Sequence, residues 1–184
     1  MKSGLFGGSF DPVHSGHLIA AKRAKEALGL DRVIFIPSGV SPHKTLTASP
    51  EARLEMVKLA VSGIDGFLVS DFETKKKTKC YSYQTVAEFK KLYPEDELYF
   101  IIGDDEYSSF FSWYKPNELL SMCRFAVLTR HGAKIKEPFI GISMPPVKIS
   151  STMIRERAAS GEDLSGLVPP GAAEYIKKNK LYTK

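Results

Sequence analysis

The sequence predicts an α/β protein built on a Rossmann-like, doubly wound parallel sheet in a single domain. Three observations carry that expectation. Short apolar runs alternate with stretches of helical spacing. The helical stretches are about 10 to 13 residues long, enough to cross back over a sheet between parallel strands. The chemically unusual residues fall just after the apolar runs, where open parallel sheets bind ligands. A chain of 184 residues has room for one well-packed core.

Each element follows from local pattern. Leu5-Phe6 begins a strand that runs into Gly7-Gly8. Between Gly16 and Leu28, the side chains of Leu18, Ala21, Ala24, Ala27 and Leu28 share one helical face, and Gly29 stops the helix. Val33-Ile34-Phe35-Ile36, closed by Pro37, reads as a buried strand. Pro50 to Val61 is helical, with proline in the first turn. Phe67-Leu68-Val69 is a strand, Tyr83 to Leu92 a helix ended by Pro94, and Leu98 to Ile102 a strand ended by Gly103. Glu106 to Trp113 and Asn117 to Cys123 read as helices, and Phe125 to Leu128 as a strand. Met144-Pro145-Pro146-Val147 interrupts the pattern. Ser151 to Ala159 and Gly171 to Lys178 are closing helices.

Composition narrows the function classes. Apolar residues make up 43% and charged residues 26%, which places the chain among globular proteins. No apolar run is long enough to cross a bilayer, and the opening Met1-Lys2-Ser3-Gly4 meets glycine too soon for a signal peptide. A cytoplasmic protein without a membrane partner is expected. Cys80 and Cys123 are read as two unpaired structural thiols, and no metal site is expected. The net charge of +5 suits an anionic substrate. The run Lys75-Lys76-Lys77-Thr78-Lys79 reads as a solvated loop. Without aromatic platforms or a broader basic face, nucleic acid is not an expected partner. Oligomeric state is left open, a homo-oligomer among the options.

The chemistry concentrates first in Gly7-Gly8-Ser9-Phe10-Asp11-Pro12-Val13-His14-Ser15-Gly16-His17. Two glycines after a strand let main-chain amides approach an anion. The helix that follows offers free amides and a partial positive charge. His14 and His17, three apart at that helix start, face the same ligand, and Gly16 between them is expected to leave room for a phosphate. Walker and dinucleotide fingerprints are both absent. This stretch, with its His-x-Gly-His, resembles the hallmark of the HIGH-type nucleotidyltransferase superfamily. That superfamily includes nucleotide adenylyltransferases, pantetheine-phosphate adenylyltransferase and small cytidylyltransferases.

Ile149-Ser150-Ser151-Thr152-Met153-Ile154-Arg155 is the complement. Hydroxyls open a helix, and Arg155 lies one turn in, placed to reach back to an anion at the helix start. The segment is similar to the second signature of the same superfamily. The resemblance implies that Gly7, Gly8, Ser9, Phe10, His14 and His17 bind ATP. Ser151, Thr152 and Arg155 then hold its triphosphate, with the Ile149-Ser150 backbone beside adenine.

Further along, the chain carries Pro37-x-x-x-x-Pro42-His43-Lys44, Arg53 with Met56, Tyr81-Ser82-x-x-Thr85 and Gly103-x-Asp105 with Trp113. Arg130-x-Gly132 and a tail from Val168-Pro169 to Leu181-Tyr182 complete the set. In this order the motifs resemble bacterial nicotinate-nucleotide adenylyltransferases over nearly the whole chain. The resemblance implies that Gly103 and Asp105 contact the ATP ribose and that Trp113 stacks on a nicotinate ring. Amides near Tyr81, Ser82, Thr85 and Tyr114 then bind its carboxylate, Arg130 belongs to the acceptor side, and Lys44 sits with His17 near the reacting phosphates. His14, His17, Lys44 and Arg155 are the expected catalytic residues. The expected substrates are ATP, with Mg²⁺ held mainly by phosphate oxygens, and nicotinate mononucleotide. Asp11 is close enough in sequence to assist the metal. Two departures bear on specificity. Cys80-Tyr81-Ser82 replaces the family's Ser-Tyr-Thr, and Gln84 stands where Asp is common, which leaves the choice between acid and amide open.

The chemistry expected is direct displacement. A phosphate monoester is already nucleophilic, and no nucleophile–base–orienter set is visible. Pantetheine phosphate and nicotinamide mononucleotide are the alternative acceptors. A nucleotide-binding regulator without catalysis is the rival from another class.

Overall fold

The computed structural model describes residues 1–40, 46–129 and 134–183. In chain order the elements are β1 (Lys2–Gly8), α1 (Ser15–Leu28), β2 (Arg32–Pro37), α2 (Pro50–Val61) and β3 (Phe67–Val69). They continue as α3 (Ser82–Leu92), β4 (Glu97–Gly103), α4 (Asp104–Ser109), α5 (Pro116–Met122), β5 (Arg124–Thr129), β6 (Ile140–Ser143), α6 (Ser151–Ala159) and α7 (Pro170–Lys178). The six strands are all parallel, in the order β3-β2-β1-β4-β5-β6. The chain winds outward from β1 to β3, then returns to place β4 beside β1. The crevice at that reversal, beyond the carboxyl ends of β1 and β4, is where such a sheet binds ligands.

Strand residues alternate between two apolar layers because successive side chains point to opposite faces. Val33 and Phe35 of β2 and Tyr99 and Ile101 of β4 pack in one layer, with α1, α2, α6 and α7. Ile34, Ile36, Leu98, Phe100 and Ile102 pack in the other, with α3 and α5. Burial on both faces explains why these strands read as unbroken apolar runs.

Most expected elements are present, several with the expected bounds. Gly29 ends α1 in the left-handed region at φ 61°, a conformation glycine adopts without strain. One strand was not foreseen: β6, Ile140-Gly141-Ile142-Ser143, which pairs with β5. The expected helix from Glu106 to Trp113 instead starts at Asp104 and ends at Ser109, followed by a 3₁₀ turn over Phe110–Ser112. Serine chemistry accounts for the early break. The Ser108, Ser109 and Ser112 hydroxyls donate to the main-chain oxygens of Asp104, Asp105 and Ser109, competing with the helix ladder.

Both cysteines are buried and unpaired with each other, and burial pushes the Cys123 thiol up to about 12. The lysine run is only partly the solvated loop expected. Lys75 pairs with Asp71 at 2.8 Å, while Lys76 lies over the Phe72 ring at 3.8 Å and near Cys80 Sγ at 3.6 Å. Among the described residues no helix is long and apolar enough to cross a membrane.

Candidate active site

β1 delivers its glycines to the mouth of the crevice. The next turn is tight: Phe10 takes a left-handed φ of 47°, and a Cβ at Gly8 would meet the Phe10 ring at 2.9 Å. The buried Phe10 ring in turn stands edge-on to His17, 5.0 Å between centroids, and supports it from below. His14 is the cap residue of α1. Its main-chain N–H donates to His17 Nδ1 at 3.1 Å. A ring nitrogen that accepts carries no proton, so neutral His17 holds its proton on Nε2 and is a donor there. The two imidazoles stack at 3.7 Å. A Cβ at Gly16 would lie 2.9 Å from His14 Nδ1 and 3.0 Å from Val147, so its missing side chain makes room for His14.

The start of α6 docks directly on this loop. Ser150 caps the helix by accepting from the Met153 N–H at 3.2 Å. The Ser151 hydroxyl donates to Pro12 O at 2.9 Å. Arg155 Nη1 donates to Asp11 O at 2.7 Å, and its Nη2 to Thr152 Oγ1 at 3.1 Å. Segments far apart in sequence therefore meet at residues 11 to 14, as the expected polyanion site requires. The guanidinium has five N–H donors, more than these bonds use.

Beneath the loop lies a buried polar frame that the sequence did not reveal. Arg53 is 0% exposed, yet every nitrogen of its guanidinium has a partner. Nε donates to Ala48 O at 3.2 Å, Nη1 to Ser9 O at 2.8 Å and Nη2 to Gly39 O at 3.1 Å. Burial pulls its pKa down, and neighbouring Asp11 opposes that shift. Asp11 is itself 4% exposed. Its carboxylate accepts from the Thr47 N–H at 2.6 Å, the Ala48 N–H at 3.0 Å and the Tyr182 hydroxyl at 2.7 Å. Asp11 is a structural hub, then, and not the metal assistant its sequence position suggested. An arginine in the first turn of α2 and a tyrosine near the end of the sequence gave no local sign of this role.

The other side of the crevice begins at β4. The Gly103 N–H donates to Glu106 at 3.1 Å, and Asp105 is exposed in the first turn of α4. Trp113 is half-buried, its ring 5.4 Å from Phe110 and 6.4 Å from Phe100. Phe100 also lies against Gly7, where an added Cβ would sit 3.5 Å from the ring, so one side chain links the two halves of the crevice. Tyr114, 50% exposed, faces Tyr81, 39% exposed, at 5.3 Å, and Tyr83 edge-on at 5.8 Å. Lys115 holds a left-handed φ of 55° and brings its ammonium 4.7 Å from the Tyr83 ring centre. That cation among the tyrosines was missed in the sequence, although it directly follows Trp113-Tyr114.

Other residues expected on the acceptor side are tied into structure. Gln84 Oε1 accepts from the Tyr81 N–H at 2.9 Å, closing the cap of α3 just before Ser82. Thr85 is buried, and its hydroxyl donates to Glu73 at 2.6 Å. Burial pushes the Glu73 carboxyl up, with the Thr85 hydrogen bond opposing. Lys44 and Arg130 lie outside the described residues. Among the described residues no group of three or more His, Cys, Asp or Glu is placed to hold a metal ion.

A six-stranded Rossmann-like sheet with paired histidines and an arginine at its switch point defines a class, the nucleotidyltransferases. The matching family model is cytidylyltransferase-like, over residues 5–157. Within that class the chain belongs to the nicotinate-nucleotide adenylyltransferase family. It is 41% identical to a relative of that name from Dehalococcoides mccartyi, covering 99% of this chain and 97% of the relative. A relative of the same name from Thermus thermophilus is 41% identical, covering 99% of this chain and all of the relative. The fold is shared with nicotinic acid mononucleotide adenylyltransferase from Plasmodium falciparum, solved in complex with NaAD. That structure has a TM-score of 0.79 at 23% identity and covers 99% of this chain and 98% of its own.

Proposed function

We propose that this protein transfers the adenylyl group of ATP to nicotinate mononucleotide, forming nicotinate adenine dinucleotide and pyrophosphate in NAD biosynthesis. The observation that carries this reading is the docking of the α6 start onto the His14–His17 helix start through Arg155 and Ser151. Two helix N-termini, two imidazoles and a guanidinium meet around residues 11 to 17, and Phe100, which packs on Trp113, lies against Gly7 of the same loop.

The reaction is an in-line displacement. An acceptor phosphate oxygen attacks the α-phosphorus of ATP, the bond to the β,γ unit breaks, and pyrophosphate leaves with the electron pair. No residue becomes covalently attached, and catalysis rests on positioning and on neutralising the leaving group. His17 Nε2, His14 and Arg155 donate to the triphosphate, and Thr152 and Lys44 assist. Gly7 to Phe10 cradle the phosphates, Gly103 and Asp105 hold the ribose, and Ile149-Ser150 lies beside adenine. Magnesium arrives with ATP as part of the substrate, bound mainly by phosphate oxygens and water. On the acceptor side Trp113 stacks on the pyridine ring, amides near Tyr81, Ser82, Thr85 and Tyr114 take its carboxylate, and Arg130 contributes nearby. Lys115 favours the acid over the amide, because its ammonium attracts a carboxylate and gains nothing from a carboxamide.

The test is to incubate the protein with MgATP and one acceptor at a time and to measure pyrophosphate. Nicotinate mononucleotide is expected to exceed nicotinamide mononucleotide and pantetheine phosphate by a wide margin. Equal rates with acid and amide would overturn the acid preference. No pyrophosphate with any acceptor would favour a nucleotide-binding regulator.

A further inference from the structure

The segment beyond α6 reaches back to the phosphate loop at two places. At the first, Ser15 at the start of α1 donates its N–H to Leu167 O at 2.8 Å and its hydroxyl to Gly166 O at 3.1 Å. At the second, the tail after α7 turns so that the Tyr182 hydroxyl donates to Asp11 Oδ1 at 2.7 Å. That turn uses two left-handed residues that are not glycine, Lys180 at φ 49° and Tyr182 at φ 64°. Such conformations are disfavoured for side-chain-bearing residues and persist where surrounding contacts over-determine them.

The hydroxyl completes the frame described above. Asp11 and Arg53 together fix Gly39 and Thr47-Ala48, the two anchors of the chain segment that carries His43 and Lys44. The main-chain oxygen of Asp11 also holds Arg155. One residue therefore joins the leaving-group arginine, the first loop and the Thr47-Ala48 anchor, and Tyr182 is its side-chain hydrogen-bond donor. Burial and the Asp11 carboxylate both push the Tyr182 phenol up, which keeps it protonated and donating.

We infer that Tyr182 is a positioning residue for adenylyl transfer, acting through Asp11 to hold Arg155 and the Thr47-Ala48 anchor in register. The inference rests on the proposed adenylyl transfer for its kinetic readout. A contact that aligns donors with charge developing on the leaving group acts on kcat more than on ground-state binding. Tyr182→Phe removes the hydroxyl and keeps the ring. With MgATP and nicotinate mononucleotide, kcat is expected to fall about tenfold while the acceptor KM stays within about twofold. In an Asp11→Ala background the same change is expected to cost less than about twofold, because the hydroxyl has already lost its acceptor. Unchanged kcat with only a lowered Tm would reduce Tyr182 to a structural tie. Full additivity with Asp11→Ala would also overturn the inference.

Amide hydrogen exchange gives a readout free of activity and of the Asp11 variant. In Tyr182→Phe the Thr47 and Ala48 amides are expected to exchange about tenfold faster while α1 amides keep their rates. If the wild-type protein forms no pyrophosphate, the proposed function fails, and exchange alone decides the coupling. Unchanged exchange at both amides would overturn it.

Discussion

Around the first loop, buried charged side chains grip main-chain atoms. Arg53 holds the oxygens of Ser9, Gly39 and Ala48, Asp11 holds the amides of Thr47 and Ala48, and Arg155 holds the oxygen of Asp11. Around Trp113 the pattern is the reverse. Rings face rings, Tyr81 and Tyr114 stand exposed, and the Lys115 ammonium sits at the edge, 3.9 Å from the Glu118 carboxylate. The difference matches the two jobs. A triphosphate must be met by donors already aimed, because reorienting dipoles during the reaction would cost much of what they supply. A flat heterocycle is satisfied by a surface it can lie on, and that surface can stay open until the ring arrives. Damage on the donor side should therefore appear in turnover and stability, and damage on the acceptor side in KM and selectivity.

The sharpest way to break that contrast is His17→Ala. Loss of one aimed donor is expected to lower kcat about 100- to 1,000-fold, with circular dichroism unchanged. Wild-type turnover in that variant would remove His17 from the chemistry. Next in size is Arg53→Met, which leaves three buried carbonyl oxygens without their donor. It is expected to cost about 3 kcal/mol and to lower Tm by about 6–12 °C in thermal unfolding. A Tm within about 2 °C of wild type would show that the buried frame is dispensable.

Two smaller effects test the acceptor side. Trp113→Ala is expected to raise the acceptor KM about tenfold and leave the ATP KM unchanged, read from initial rates. An equal rise in both would mean that the ring supports the whole crevice. Lys115→Ala is expected to lower the acid-over-amide ratio of kcat/KM about threefold to fivefold, a modest figure because the ammonium is partly hydrated. The effect should shrink in high salt.

What the sequence disclosed follows the same division. Local devices were readable: two glycines after a strand, histidines three apart, hydroxyls opening a helix, proline in the first turn of α2. β2, α2 and α6 came through because both-face burial or a capping serine leaves its mark within a few residues. β6 did not, since Gly141 and Ser143 carry little strand preference and its order comes from pairing with β5. The frame of Asp11, Arg53 and Tyr182 was equally hidden. Its members are spread from position 11 to position 182, and each bond joins groups that only the folded sheet brings together. Gly16 shows a subtler gap. The need for a small residue was legible, but the packing of His14 and Val147 against it was not.

The Ser38 and Thr152 hydroxyls apart, the two guanidiniums take hold of peptide oxygens, and this bears on how such a site tolerates mutational drift. An arginine that recognises another residue's side chain makes that position hostage to its identity, whereas one that recognises the backbone does not. Ala48 could exchange its side chain over time without loosening Arg53's hold on its oxygen, provided the chain path is kept. Gly39 has no such liberty, because a Cβ there would lie 2.1 Å from Glu73 O. Lineages carrying this enzyme should show variety at position 48 and none at position 39.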